Sequence, residues 1–268
     1  MPIQKILVAT DFSEHAEEAA KLSGILQSAC GSARRLIHVV SPSDATEDLT
    51  EYAEADVQVV SDGSPPAAAI CREATSWGAD LVAMGTHGHS AVELDLMGSV
   101  AEKVVRASPV PVLTVQKGQG WSSGEELQKI LVPIDFSKGA HAAALLASDI
   151  ARCFSAEVEL LHVLELAPPS FLRAPIPAPY LEEAQDGARL ELVNELGKLE
   201  DTGVKVSLHI AAAKAAPAIL ARCEEIGADL VILGSRGWTS FRSFLLGSVA
   251  SRVVRHATVP VITCREPF

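Results

Sequence analysis

Short apolar runs alternate along the chain with longer segments in which apolar residues recur every three or four positions. In the first half the apolar runs cover residues 6–10, 36–40, 57–60, 81–84 and 110–115. Runs of this length predict buried strands, and the three- to four-residue period predicts amphipathic helices. Helices are predicted after Ser13, which can cap a first turn, over residues 67–77, and from Ser99 onward. Strands that alternate with helices predict a parallel sheet with helices on both faces.

The same pattern restarts after residues 116–128, which are rich in glycine, serine and charge and are typical of a linker. Asp135 repeats Asp11 at an offset of 135 − 11 = 124, whereas Gly234 repeats Gly85 at 234 − 85 = 149. The second half therefore carries 149 − 124 = 25 additional residues. They are assigned to a proline-rich insertion at 167–179 and to a long helix over about 181–199, because the matching acidic stretch of the first half has room for only a short helix.

The repeat predicts two tandem doubly wound α/β domains, residues 1–117 and 127–268, each with a five-stranded parallel sheet. The expected strand order within each domain is 3-2-1-4-5. The two closing strands would otherwise be bare edges, so we expect them to pair and join the halves around a pseudo-two-fold axis. A homodimer of the whole chain stays an open alternative.

Composition narrows the class of protein. The chain has 48% hydrophobic and 21% charged residues, which is typical of a globular protein. Its apolar runs fall short of the roughly 20 residues of a membrane span, and the N-terminus has no signal-peptide pattern, so a cytoplasmic location is predicted. The formal net charge of −12 argues against nucleic acid or an anionic membrane as partner.

Cysteine usage indicates neither a disulfide framework nor a zinc site. The five cysteines are odd in number, lie far apart and form no CxxC pair. We therefore expect reduced, mostly buried thiols at Cys30, Cys71, Cys153, Cys223 and Cys264.

A glycine-rich loop follows the fourth strand of each half. Each loop has the pattern Gly-x-x-Gly, then nine residues, then Gly-Ser at a predicted helix start: Gly85, Gly88, Gly98 and Ser99, and again Gly234, Gly237, Gly247 and Ser248. Glycine lets a ligand approach the backbone, and the unpaired N–H groups of a helix start favour an anion. The loops predict phosphate binding. One such loop alone is usually only a turn, but the pattern occurs twice.

The predicted strand order places Asp11 beside Gly85, and Asp135 beside Gly234, at the point where ligands bind in doubly wound sheets. A carboxylate repels phosphate, so these aspartates are assigned to sugar hydroxyls or a base, which predicts a nucleotide. Backbone groups near Val39 and Val163 could pair with a base edge. In the alternative, the aspartates are strand-end caps and Ser99 and Ser248 are helix caps. For His38 and His162 a structural role is predicted rather than one as acid or base.

The combination of glycine loops, Asp-Phe-Ser strand ends and Val-Pro-Val closing strands resembles the universal stress protein family in its tandem form. The resemblance implies Rossmann-like, adenine nucleotide alpha hydrolase-like domains that bind ATP, or ADP or AMP, with Mg²⁺ able to accompany ATP. By motif position it implies two sets of binding residues. They are Ala9, Asp11, Val39, Met84, Gly85, His87, Gly88, Gly98, Ser99 and Val100 in the first half, and Pro133, Asp135, Val163, Leu233, Gly234, Arg236, Gly237, Gly247, Ser248 and Val249 in the second.

The two halves differ near the expected phosphates. The first loop carries Glu93 and Asp95 where the second has Arg242 and Ser243. Carboxylates repel a triphosphate and a guanidinium attracts it, so the second site is expected to bind ATP more tightly.

Three functions remain open. The first is an ATP-binding regulator of a stress response, with an unidentified protein partner. The second is a slow ATPase or phosphotransferase, although the chain has no Walker lysine, HExxH or GxSxG motif, and no catalytic or metal-binding residue is assigned. The third is an interaction protein with a vestigial pocket that docks through residues 167–179.

Overall fold

The computed structural model describes residues 3–40, 57–61, 63–88, 97–121, 126–165, 178–197, 199, 203–235 and 246–266. The first half contains β1 (Lys5–Ala9), α1 (Glu14–Cys30), β2 (Ala33–Val39), β3 (Val57–Val60), α2 (Pro66–Trp77), β4 (Leu81–Gly85), α3 (Ser99–Ala107) and β5 (Val112–Val115). The second half contains β6 (Lys129–Pro133), α4 (Lys138–Phe154), β7 (Glu157–Leu164), α5 (Ala178–Gly197), β8 (Val206–Ala212), α6 (Ala215–Ile226), β9 (Leu230–Gly234), α7 (Ser248–His256) and β10 (Val261–Cys264).

These strands form one ten-stranded sheet in the order β3-β2-β1-β4-β5-β10-β9-β6-β7-β8. Within each half the neighbours are parallel and follow the predicted order 3-2-1-4-5. The order in which strands are added to the sheet reverses between β1 and β4, and again between β6 and β9, although the strands stay parallel. The fold prediction is therefore confirmed. The boundaries at residues 117 and 127 fall between β5 and β6 and stay predictions.

The halves meet where β5 and β10 pair antiparallel, with Ile262 opposite Leu113. Two buried threonines strengthen this joint from opposite sides. The Thr114 hydroxyl donates to the Val261 carbonyl at 3.0 Å, and the Thr263 hydroxyl donates to the Val112 carbonyl at 3.5 Å. The expected pairing of closing strands is thus present within one chain.

Helices cover both faces of the sheet and create two apolar layers. One layer packs α1, α4 and α5 through Leu22, Leu26, Ile150 and Leu192. The other packs α2, α3, α6 and α7, with Val104 and Val253 at its centre. Burial of these aliphatic side chains, at roughly 25 cal/mol per Å², is the main stabilising term of such a core.

The segment after each closing strand reaches across to the other half. After β5, the Gln116 side-chain amide donates to the carbonyls of Val254 and Arg255 at 3.2 Å, and that of Gln119 donates to the Ala257 carbonyl at 2.8 Å. After β10, the Arg265 guanidinium donates to the carbonyls of Ala107 and Ser108 at 3.2 Å. Each half therefore satisfies carbonyls at the C-terminal end of the other half's last helix, which lack partners within that helix.

In each half, an aspartate just before the fourth strand bonds to the backbone at the start of the first strand. The Asp80 carboxylate accepts the N–H groups of Gln4 and Lys5, both at 2.9 Å. Asp229, which is buried, accepts those of Gln128 and Lys129 at the same distance. This explains the acidic residue that opens the apolar run of each fourth strand.

A disulfide joins Cys30 at the end of α1 to Cys153 near the end of α4, with Cα atoms 5.1 Å apart. The prediction of five reduced cysteines is wrong for this pair. The two residues are 123 positions apart in sequence, and only the symmetric packing of α1 and α4 brings them together. Cys71, Cys223 and Cys264 are free thiols, as predicted.

Most predicted elements match the structure. Ser13 caps α1 by accepting the Ala16 N–H, and Gly31 ends that helix in the left-handed region at φ 68°. The short helix expected within 41–56 and most of the insertion at 167–179 lie outside the described residues. Among the helices that are described, none is long and apolar enough to span a membrane.

Replacing Asp229 with alanine should destabilise the protein by about 2–4 kcal/mol, because two part-buried N–H groups lose a charged acceptor. Chemical denaturation measures this change. Glu224→Ala, which removes an exposed carboxylate from α6, serves as control and should change stability by less than about 0.5 kcal/mol. Equal effects of the two substitutions would contradict the anchoring role.

Gln119→Ala should lower the free energy of unfolding by about 1–3 kcal/mol. The substitution leaves two groups without their partner: the Ala257 carbonyl, and the Gln116 N–H, which donates to the Gln119 side chain at 2.8 Å. Lys103→Ala, at an exposed position of α3, is the matched control. Thermal unfolding of the two variants compares them. A Gln119→Ala variant as stable as the control would show that the contact across the halves contributes nothing.

Candidate functional site

The sheet brings the ends of its first and fourth strands together in each half. Ala9 at the end of β1 lies beside Met84 near the end of β4. In the second half β6 pairs with β9 in the same way. The loops that leave these strand ends lie at the switch point of each half, where a ligand crevice is expected.

The first wall of each crevice is a tight turn. Oδ1 of Asp11 accepts the N–H of Ser13 at 3.1 Å and its hydroxyl at 2.6 Å. Oδ1 of Asp135 accepts the Ser137 N–H at 3.1 Å. The aspartates thus serve as strand-end caps, which was the alternative reading of the sequence, while Asp135 also lines the crevice of its half.

The residue between aspartate and serine is strained. Phe12 has φ 61° and Phe136 has φ 62°, the left-handed region that non-glycine residues rarely occupy. Each ring packs on a histidine, His38 at 5.2 Å and His162 at 4.6 Å between ring centroids. The repetition of this geometry indicates that it belongs to the site's construction.

The two histidines support the turn. Nδ1 of His38 lies 2.8 Å from the Thr10 carbonyl oxygen, and Nδ1 of His162 lies 2.7 Å from that of Ile134. Since a carbonyl only accepts, each Nδ1 carries the proton and donates it. The structural role predicted for His38 and His162 is confirmed.

The second wall is the glycine bend after β4 and β9. In the first half a Cβ on Gly85 would lie 2.7 Å from the Cβ of His15, and a Cβ on Gly88 would collide with the Asp11 carboxylate. The Gly98 N–H donates to the Thr86 carbonyl at 2.8 Å, and the Gly247 N–H donates to the Ser235 carbonyl at the same distance. The first-half bend is close-packed, so glycine is required there for backbone contact.

A helix start forms the floor. α3 begins at Ser99 and α7 at Ser248, each preceded by a glycine at the N-cap, where no side chain accepts the first-turn N–H groups. Uncapped donors and the positive end of the helix dipole attract an anion.

The second half encloses a crevice of about 160 Å³. Eight of its ten predicted site residues line it, namely Pro133, Asp135, Val163, Leu233, Gly234, Gly247, Ser248 and Val249. The other two, Arg236 and Gly237, lie outside the described residues, as do Arg242 and Ser243.

The first-half residues occupy the matching places. Ala9, Asp11 and Val39 are at or just beyond the ends of β1 and β2, and Met84, Gly85, His87 and Gly88 are at the end of β4 and in the bend after it. Gly98, Ser99 and Val100 form the start of α3. Glu93 and Asp95 lie outside the described residues.

A pair of histidines distinguishes the first half. The rings of His15 and His87 are 5.1 Å apart, and Nδ1 of His15 accepts the Lys117 N–H at 2.9 Å. Burial, with the neighbouring His87, lowers the pKa of His15. By sequence position the second half has Gly139 in place of His15 and Arg236 in place of His87. The two glycine bends therefore differ in charge and bulk.

Sequence reasoning missed several lining residues of the second crevice. Ala140 comes from the first turn of α4, and Ala215 and Ile219 from the first turns of α6. The available signal was positional, because helices that follow the first and third strands begin beside the switch point.

Comparisons with known proteins agree with this architecture. The model of the universal stress protein family matches residues 43–116 and 126–265. A universal stress protein of Methanocaldococcus jannaschii is 33% identical over 147 residues, which cover 54% of this chain and 86% of that protein. One from Mycolicibacterium smegmatis is 30% identical over 188 residues, covering 70% of this chain and 62% of the relative. The chain thus matches less than two thirds of the mycobacterial relative's length.

Among solved structures, a universal stress protein from Archaeoglobus fulgidus superimposes with a TM-score of 0.74 at 26% identity, covering 98% of both chains. That likeness spans both halves and the joint between them. With two matches of the family model and relatives of the same name, the chain belongs to the universal stress protein family.

Proposed function

We propose that the chain binds an adenine nucleotide, ATP or ADP or AMP, in the crevice of each half and acts as a nucleotide-dependent regulator of a stress response rather than as an efficient enzyme. One observation carries the proposal. In the second half the glycine bend at Gly234, the uncapped start of α7 and the Asp135 turn all line a single cavity.

The phosphates are assigned to the start of α7. Gly247, Ser248 and Val249 line the cavity there, and their helix offers N–H groups that no N-cap side chain accepts. The formal net charge of −12 disfavours an anion at long range, so local donors must hold it.

The sugar and base are assigned to the opposite end. Asp135 can accept ribose hydroxyls, and its carboxylate would repel phosphate from that end. Leu161, Val163 and Ile219 offer an apolar wall against which a purine can pack. This separation of charge and apolar surface favours a nucleotide over inorganic phosphate.

A Mg²⁺ ion that accompanies ATP would depend mainly on the phosphates and water. Among the described residues, no group of three or more His, Cys, Asp or Glu side chains could hold a metal ion. Mg²⁺ often keeps several waters and binds through substrate phosphates.

Regulation requires that nucleotide favours one arrangement of the chain over another. α3 and α7 suit this role, because each begins at a crevice and ends in contact with the other half. A nucleotide that orders the start of either helix can thereby alter the joint. The second site is proposed to bind ATP more tightly, since its sequence places Arg236 and Arg242 where the first half has His87 and Glu93.

Ala215→Phe should weaken nucleotide binding at the second site by about tenfold or more, which corresponds to about 1.4 kcal/mol, because the ring occupies part of the cavity. Isothermal titration with ATP measures it. Ala221→Phe, at an exposed position of the same helix, is the matched control and should bind as the unaltered chain does. Equal affinities for both variants would contradict this site.

Gly88→Ala should weaken the first site by a similar factor, because the added methyl group displaces the Asp11 carboxylate. The titration is best made on the Ala215→Phe variant, in which the second site is already weakened. Gly120→Ala is the control, since a Cβ there meets nothing within 4 Å. If the unaltered chain takes up no ATP, ADP or AMP and carries none on purification, the proposed function fails as a whole.

A further inference from the structure

The Cys30–Cys153 disulfide links the two halves covalently, in addition to the backbone that connects them. Cys30 ends α1, and Cys153 is the last residue but one of α4. Their Cα atoms are 5.1 Å apart, although 123 positions separate them in sequence. The bond therefore fixes the C-terminal ends of two helices that each begin shortly after the first strand of their half.

The bridge lies at the surface. Both cysteines are half-buried, and their neighbours Ala29 and Arg152 are exposed. Each helix ends in a left-handed residue directly beyond, Gly31 and Ser155, both exposed. A small thiol can thus approach the sulfur atoms without disruption of the core.

The other three cysteines are poorly placed for exchange. Burial raises the pKa of the Cys264 thiol to about 12 and that of Cys223 to about 11. Burial also raises the pKa of Cys71. Because the thiolate is the reactive form, these residues should stay inert under conditions in which the surface pair reacts.

The joint does not depend on the bridge for its existence. β5 and β10 pair through backbone and threonine hydrogen bonds, and Gln119 and Arg265 reach across the halves independently. Trp121 is buried in the apolar layer that contains α1, α4 and α5, and it packs edge-on against Phe154 of α4 with 5.1 Å between ring centroids. With these contacts intact, a chain without the bridge should remain folded.

We propose that Cys30–Cys153 is a redox-modifiable clasp, which a low-molecular-weight thiol opens and the corresponding disulfide closes while the chain stays folded. In opening, a thiolate attacks one protein sulfur and forms a mixed disulfide, and the other cysteine leaves as a thiolate that takes up a proton. A second thiol attacks the mixed disulfide, which releases the oxidised small molecule and the second cysteine. The net change is two thiols oxidised to one disulfide and one protein disulfide reduced to two thiols.

The two states differ in how firmly α1 is held against α4. Closing the bridge restricts the unfolded chain over a long loop and fixes the helix ends in the native one. Opening leaves the halves paired through β5 and β10, but frees the C-terminal ends of both helices from each other. The clasp thereby makes the rigidity of the joint respond to the thiol balance around the protein.

The test equilibrates the full-length native protein with oxidised or reduced glutathione, alkylates free thiols and locates them by mass spectrometry. Cys30 and Cys153 should be protected after oxidised glutathione and alkylated after reduced glutathione. The midpoint of thermal unfolding should fall by about 5–10 °C on reduction, as expected for a bridge that closes a long loop.

Two variants complete the test. Cys30→Ser should unfold at the lower temperature in both buffers, and the matched control Cys71→Ser should show the full shift. Alkylation of Cys30 and Cys153 after oxidised glutathione would overturn the proposal, because no bridge would form. A bridge that reduced glutathione opens only after the protein unfolds would also overturn it, since the bond would then be a permanent staple.

Discussion

The antiparallel pairing of β5 with β10 determines the architecture of the molecule. Each half alone would present its closing strand as an open edge, with unpaired N–H and carbonyl groups. When the two edges pair, they turn two five-stranded sheets into one of ten strands, and Thr114 and Thr263 extend the pairing with side-chain hydrogen bonds. The same joint places α1 beside α4, so the bridge between Cys30 and Cys153 is a consequence of the strand pairing.

In the second-half crevice, the groups available to a phosphate are mostly backbone N–H groups, which lie beside an apolar wall of side chains. The polar side chains at the switch point of each half already serve the local turns: Asp11 and Asp135 cap, and His38 and His162 hold the carbonyls behind the strained phenylalanines. The anion-binding part of this surface is therefore the glycine at the end of β9 and the start of α7, where the helix offers N–H groups in fixed positions. Such a surface suits recognition of a phosphate more than chemistry upon it, because preorganised donors bind an anion without transferring a proton.

Much of the fold could be predicted because its signals are local. The apolar runs predicted the strands. Ser13 and Gly31 indicated the ends of α1, because helix capping depends on side-chain and backbone geometry within a few residues. The disulfide between Cys30 and Cys153 could not be predicted, because it depends on the packing of two helix ends that are 123 positions apart and not on local sequence. The contribution of Ala215 to the crevice was missed for a similar reason, since small apolar residues carry no chemical signature and only the sheet's geometry brings them to the site.

The contacts that cross the joint are chemically unlike, although the positions correspond. After β5 they are made by the amides of Gln116 and Gln119, and after β10 by the guanidinium of Arg265. Both kinds of side chain donate to main-chain carbonyls at the end of the other half's last helix, so different side chains satisfy the same type of backbone group. The joint therefore tolerates sequence divergence after β5 and β10, provided that a side chain with an N–H donor of sufficient length remains at each position.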